Sequence, residues 1–419
     1  MLLQFALKNY LSFKEEQFFS MEAGERLRRF KEGNTLNING STLLKNILIF
    51  GANGSGKSNL LHGLNTMKKM ILNPNPVVTE QLPYMNFLLN ENQEKPIKFE
   101  IEFIFNEYFY NYTFTYNEER FLSEELSYKL SERASYKTYF KRNNEGMILC
   151  PEEYIDISKK LRDNTLFLYS LQDINDLHAI SVYKWFKHIL YFFEGESNLE
   201  NHFKLLEKQE NKEIFLDFLK AADFNIIDIE VQRRNVELPE ELREILSTLT
   251  QNRPLGKIPN SVLTLRTVYK KYDDVGNVIG KTSLDLGMES AGTRKIIDIA
   301  LSVIHCKEYN KILVMDEFDD SLHLSISKAL IDVFNSSTNS NQFILTTHQL
   351  ELLNSDLRAD QIYLVEKDFK GESEVFSILD FEDLNNYRKS NSKRLKPYME
   401  GRFGAIPIVD KEKLKTINI

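Results

Sequence analysis

Cysteine is almost absent from this chain of 419 residues: Cys150 and Cys306 are the only two, and neither stands in a Cys-x-x-Cys pair. That argues against a disulfide framework or a cysteine zinc site and favours a reducing, cytoplasmic setting. No run of 18 apolar residues occurs, so no membrane span is expected. Residues 1–13 lack the basic start, apolar stretch and small-residue cleavage site of a secretory signal. Positive charge is not in excess either, since 53 Lys and Arg stand against 61 Asp and Glu for a net charge of -8. Bulk charge therefore does not coat nucleic acid, although a local basic groove stays open. Internal repeats and low-complexity segments are also missing. What is present is 42% hydrophobic and 12% aromatic residues, enough for a sizeable core in two or three domains.

The short apolar run KNILIF at 45–50 leads into GANGSGKS and then into Leu60, Leu61, Leu64, Met67 and Ile71 at helical spacing. This is strand, glycine-rich loop, helix. Gly51, Ala52, Asn53, Gly54, Ser55, Gly56, Lys57 and Ser58 fill the pattern GxxxxGK[ST], whose backbone N–H groups curl around a phosphate at a helix N-terminus. In that pattern Lys57 reaches the β- and γ-phosphates and Ser58 binds Mg²⁺.

The strand ILVM at 312–315 runs into Asp316 and Glu317. Asp316 fits the acid that holds Mg²⁺, usually through water. Glu317 is the better candidate to polarise an attacking water. His348 closes the strand QFILTT, where ligands of open α/β sheets bind; it would contact the γ-phosphate or orient Glu317. Lys57 and Asp316 are 259 residues apart, farther than a compact nucleotide core needs, so something is inserted between them. Ser290, in Glu289-Ser290-Ala291-Gly292-Thr293-Arg294, caps an apolar helix. Its plain reading is a helix start. Its sharper reading is a second phosphate-binding helix end, used on a nucleotide held by another subunit.

Elsewhere, 74–96 reads as loop, 98–105 and 109–116 as paired strands, and 120–142 as a further strand pair. Residues 161–249 are mostly helical in pattern, with a strand at 225–234. A linker or mobile loop follows at 251–260, then a hairpin around DDVGN. The last part alternates again: helix 291–307, strand 311–315, helix 321–335, strands 342–347 and 361–365. Six basic residues lie between Arg388 and Arg402. They read as a solvated tail, a partner surface or a phosphate contact. His305–Cys306 reads as core or surface rather than a metal site.

In this order the pieces resemble the ABC-type ATPases of the SMC/RecF clade. GANGSGKS matches Walker A, ESAGT the signature loop, ILVMDE Walker B, DSLH the D-loop and His348 the switch histidine. KNYLSF, DEFDDSLH and YMEGRFGAIP are similar to the stand-alone ATPases of bacterial abortive-infection and phage-defence operons, the RloA/AbiL-like and PARIS-ATPase group. The resemblance covers roughly 1–120 and 265–410. It departs at ESAGT, which replaces LSGGQ, and at Leu11, where relatives often carry arginine. Gln81 and Gln93 are the candidates for a Q-loop.

The resemblance implies an α/β fold: an ABC-type P-loop ATPase head, a mixed sheet with flanking helices plus an antiparallel β subdomain, and an inserted, mostly helical arm. The expected segments are an N-terminal lobe at 1–150, the arm at 151–262 and a C-terminal lobe at 263–419. The implied cofactors are ATP and Mg²⁺. The implied assembly is a head-to-tail homodimer that sandwiches two ATP, with Ser290 and Gly292 acting in trans. The implied role is an ATP-gated switch over an effector, a toxin or nuclease encoded nearby, in anti-phage defence. A RecF/SMC-like DNA-repair ATPase is the alternative. A self-contained nuclease of the overcoming-lysogenisation-defect kind is less favoured, because no DxD follows His348.

Overall fold

The computed structural model describes residues 1–91, 95–193, 202–235, 261–381, 394–405 and 415. The chain opens with β1 (Leu2–Lys8), β2 (Gln17–Ser20), the hairpin β3 (Thr35–Ile38) and β4 (Ser41–Leu44), and β5 (Asn46–Phe50). Helix α1 (Lys57–Leu72) follows, then β6 (Ile97–Phe105), β7 (Tyr108–Tyr116), β8 (Phe121–Lys129), β9 (Lys137–Asn143) and β10 (Gly146–Leu149). Helices α2 (Phe167–Asp173) and α3 (Leu177–Lys184) lead to β11 (Leu190–Phe192). Next come α4 (Gln209–Ala221), β12 (Asp228–Asn235), β13 (Ser261–Tyr272), β14 (Val278–Asp285) and α5 (Ala291–Tyr309). The chain then runs through β15 (Ile312–Met315), α6 (Leu324–Phe334), β16 (Gln342–Thr346), β17 (Ile362–Lys367) and β18 (Ser373–Ser377).

Two compact units result: Met1–Phe193 with Tyr309–Ile419, and Glu194–Glu308. In the first, one sheet has the order β11-β15-β16-β5-β17-β18. Its first five strands are parallel and β18 closes the edge antiparallel. Every residue of β5, β15 and β16 is buried, as parallel strands covered on both faces require. The second sheet is antiparallel, in the order β10-β9-β8-β7-β6-β1-β2.

Helix α1 joins the two sheets. Leu60, Leu64, Met67 and Ile71 are fully buried in one cluster with Phe5 and Phe99 of the antiparallel sheet and Ile49 and Ile344 of the parallel one. Each such side chain stabilises the fold by about 1.5–3 kcal/mol on burial. Gly63 lets α1 approach β1: a Cβ there would sit 2.7 Å from Leu7 Cδ2, closer than atoms can pack.

The mixed α/β head with its antiparallel subdomain is therefore the observed fold. Its compact units divide at Phe193 and Tyr309, whereas the sequence segments divide at 150 and 262. The difference has a packing cause. Trp185 is fully buried and stacks on Phe103 of β6 with ring centroids 4.2 Å apart, which holds the residues after α3 to the first unit.

In the second unit the described residues form the antiparallel sheet β12-β13-β14 with α4 and α5. The strand expected at 225–234 and the hairpin around DDVGN are both there. The stretch 251–260 lies outside the described residues. Among the described residues no helix is long and apolar enough to cross a membrane.

Candidate nucleotide site

Parallel strands in register release their carboxyl ends at one edge. Met315 pairs with Leu345, Thr346 with Ile49, and Leu364 with Phe50. The loop after β5, the acids after β15 and the histidine after β16 thus emerge together, where open α/β sheets bind ligands.

The loop is built for close approach. Gly56 has φ +117°, and a Cβ on it would meet Ser373 Oγ at 2.6 Å and Ser12 Oγ at 2.9 Å. Both serines brace the loop. Ser373 donates its hydroxyl to the Ser55 carbonyl at 2.6 Å and its N–H to the Ser12 carbonyl at 2.7 Å. The Ser12 hydroxyl in turn accepts from Asn59 Nδ2 at 2.9 Å. Ser55 Oγ, inside the loop, is buried and makes no hydrogen bond to protein. Ser58 stands exposed at the start of α1, and Asn53 and Gly54 are exposed at the tip.

Lys57 is buried, and its ammonium donates to the carbonyls of Gly51 at 2.8 Å and Ala52 at 3.0 Å. Burial pulls its pKa down from the ordinary lysine value, and the carboxylates of Asp316, Glu317 and Asp319 oppose the shift. The same Nζ lies 3.4 Å from Nδ1 of His348. Nε2 of His348 lies 2.9 Å from Glu317 Oε1. A neutral imidazole protonated at Nε2 satisfies both contacts, accepting from Lys57 and donating to Glu317. Lys57, His348 and Glu317 so form one continuous polar chain across β5, β16 and β15.

Two residues that sequence reading missed hold the acids that follow β15. Thr346 donates its hydroxyl to Asp316 Oδ1 and accepts the N–H of Glu317 at 2.7 Å. Glu317 has φ +46°, a left-handed conformation that costs a non-glycine residue free energy and needs support. Thr347 donates to Asp319 Oδ2 at 2.6 Å. Burial pushes the Asp319 carboxyl up, against the Thr347 bond. The available signal was a pair of hydroxyl residues closing an apolar strand. Asp320–His323, the expected D-loop, forms the turn into α6, and His323 Nδ1 caps that helix by accepting from Ser325 N at 3.2 Å.

Ser290 and Gly292 belong to the second unit. Ser290 is exposed and caps α5, its hydroxyl accepting the N–H of Thr293 at 3.1 Å. Glu289 is pinned by the Tyr269 hydroxyl at 2.8 Å and by Thr267. On the same helix, His305 faces His202 with ring centroids 4.6 Å apart. Among the described residues, no group of three or more His, Cys, Asp or Glu side chains is placed to hold a metal ion by itself.

The basic run near the end is only partly described. Arg388, Lys389 and Lys393 lie outside the described residues, Lys396 and Arg402 are exposed, and Arg394 is buried and donates to the Leu357 carbonyl at 3.0 Å. Of the two Q-loop candidates, Gln81 is exposed in the loop before β6 and Gln93 lies outside the described residues.

The amino-acid sequence matches the protein family described as "AAA domain, putative AbiEii toxin, Type IV TA system" over residues 47–354, more than half of the chain. No curated protein matches it. Among solved structures, the SMC head domain from Thermotoga maritima is 14% identical, covering 90% of this chain and 98% of that one, with a TM-score of 0.41. An Smc head with an extended coiled coil, bound to the C-terminal domain of ScpA derived from Pyrococcus furiosus, is 13% identical. It covers 93% of this chain and 99% of that one, with a TM-score of 0.44. The fold is defined by strand order and loop geometry, and alignments at these scores add nothing to it.

Proposed function

Since the chain belongs to that AAA-domain family, we propose that it is a Mg²⁺-dependent ATPase whose nucleotide state switches its conformation and controls a partner effector in anti-phage defence. The observation that carries this reading is the polar chain from Lys57 through His348 to Glu317. It ties the phosphate-binding lysine to the acid placed to activate water.

The residues present fit a magnesium nucleotide. The Gly51–Ser58 loop offers backbone N–H groups and the uncommitted Ser55 hydroxyl, and Lys57 offers a positive charge. Ser58 and Asp316, the latter through water, would hold Mg²⁺ together with phosphate oxygens. The ion supplies positive charge that offsets the charge on the transferring phosphoryl group. Glu317 orients the attacking water and takes up its proton. His348, hydrogen-bonded to Glu317, fixes that carboxylate and reports on the γ-phosphate. When the loop takes a phosphate, Lys57 exchanges its carbonyl partners for phosphate oxygens, and its contact with His348 changes. This is a local event that can bias a larger switch.

Ser290 and Gly292, at the open end of α5, would complete the site of a second copy in a head-to-tail homodimer. The family description, with its AbiEii toxin and Type IV TA system, supports a role in toxin–antitoxin defence; the separate toxin or nuclease effector is the part of this proposal that the description does not supply.

The test is the light-scattering mass of purified Glu317→Gln with and without Mg-ATP, beside the same protein carrying Ser290→Arg. ATP should raise the mass of the first and leave that of the second unchanged. A mass indifferent to both would remove the ATP-gated homodimer from the reading.

A further inference from the structure

Lys57 and its histidine contact fix where the phosphates end. On the nucleotide reading they would lie toward β15 and β16, on one side of β5. A nucleotide with its γ-phosphate there must carry its ribose and base away from those strands. On the other side of β5 stands β17, parallel to it, whose carboxyl end opens at the same edge.

A cavity of about 410 Å³ lies there, within the roughly 300–1,000 Å³ common for small-molecule sites. Ala52, Gly54 and Ser55 of the loop line it on one side and Val365 and Phe369 on the other, with Ala405 also in the lining. The cavity therefore shares its wall with the phosphate loop.

Phe369 is 94% exposed, yet the turn that carries it is held by several hydrogen bonds. Asp368 N donates to the Glu372 carbonyl at 2.9 Å, and Asp368 Oδ1 accepts from Lys370 N at 2.9 Å and Glu372 N at 2.8 Å. Ser373, next in the chain, is bonded to the loop at Ser55. The turn thus holds the backbone of an aromatic residue beside the loop while leaving its ring in water. The Lys370 ammonium rests over it, 5.5 Å from the centroid, so the opposite face is free to stack. Nothing in the core needs this ring, whereas a heteroaromatic ligand gains from it.

We propose that the base of the bound nucleotide occupies this cavity and stacks on Phe369, an inference that rests on the nucleotide reading above. Phe369 is then a specificity residue that distinguishes a nucleotide from a bare polyphosphate. Stacking tolerates either purine, so ATP and GTP should bind comparably through this contact.

Calorimetric titration with Mg-ATP and with Mg-tripolyphosphate tests it, using wild type, Phe369→Ala, Phe369→Trp and Lys57→Ala. Wild type should prefer ATP. Phe369→Ala should lose about tenfold in ATP affinity with tripolyphosphate affinity unchanged, and Phe369→Trp should restore ATP binding. Lys57→Ala should lose both ligands. If Phe369→Ala binds ATP as wild type does while Lys57→Ala binds neither ligand, the base lies elsewhere and only this inference fails. If wild type binds neither ligand, the nucleotide reading fails and this inference with it.

Discussion

The backbone N–H of Glu317 donates to the Thr346 hydroxyl at 2.7 Å, and this bond locks the second residue after β15 to the last residue of β16. The same hydroxyl donates to Asp316. Thr346→Val keeps the shape and removes the hydroxyl. A lost hydrogen bond of this kind costs about 0.5–1.5 kcal/mol, and Glu317 loses support for its left-handed backbone. We expect steady-state ATP turnover to fall at least about tenfold, on the scale by which a misplaced catalytic group is felt, while ATP binding stays near wild type. Turnover equal to wild type would show that Glu317 is held by other means.

Gly56→Ala would place a methyl against Ser373 Oγ and Ser12 Oγ at φ +117°. Where alanine cannot adopt the backbone without strain, the loss exceeds about 1 kcal/mol. The expected result is a lower urea midpoint together with loss of ATP binding, because the strained loop is the proposed phosphate site. Retained binding with a lowered midpoint would confine the damage to the Ser12 and Ser373 braces.

Deep in the antiparallel subdomain, the Glu124 side chain is 0% exposed and its carboxylate pairs with Arg142 Nε at 2.8 Å. It also accepts from the Tyr112 hydroxyl and from the N–H groups of Phe167 and Leu168 at the start of α2. Removing one partner of a buried pair costs about 3–5 kcal/mol, so Glu124→Ala should lower unfolding free energy by that amount in urea titration. A loss below about 1 kcal/mol, the usual size for an exposed pair, would mean that water reaches the cluster.

Acid should weaken the same subdomain. His178 stacks on Tyr128 with centroids 4.2 Å apart and meets the Tyr110 hydroxyl at 3.1 Å. Burial holds its imidazole below the ordinary value near 6.5, with Lys137 adding to the shift and Asp176 opposing it. A depressed histidine stabilises the fold while neutral. That contribution is complete above about pH 6.5 and is lost as pH falls through the lower, folded value. The urea midpoint should therefore drop as pH is lowered through this window. His62 and His188 are shifted the same way, so His178→Phe should remove part of the drop. An unchanged drop would assign it to those two.

What the sequence disclosed about the site follows from locality. β5, the glycine loop and α1 are contiguous, and so are β15 with its two acids and β16 with His348. Their periodicity and terminal residues can be read in short windows. The locks of the site cross between segments: Thr346 to Asp316, Ser373 to Ser55, and Lys57 to His348. No window of one strand contains them. The same holds for the fold. The hairpin of β13 and β14 announces itself by alternation and a turn. Trp185 joins the first unit only because it finds Phe103, a contact that helical spacing at 167–184 does not reveal.

The serine braces of the loop have a consequence for synthesis. Ser55 and Ser373 are 318 residues apart, and a chain grows from its N-terminus at about 5–20 residues per second. The phosphate loop therefore leaves the ribosome tens of seconds before the residue that braces it. Until Ser373 arrives, a nascent chain carries the complete GxxxxGKS string without its support. A chain stalled ahead of that residue should fail to retain ATP, and the completed one should keep it. On the nucleotide reading, capture of ATP should therefore begin only once the chain has passed Ser373.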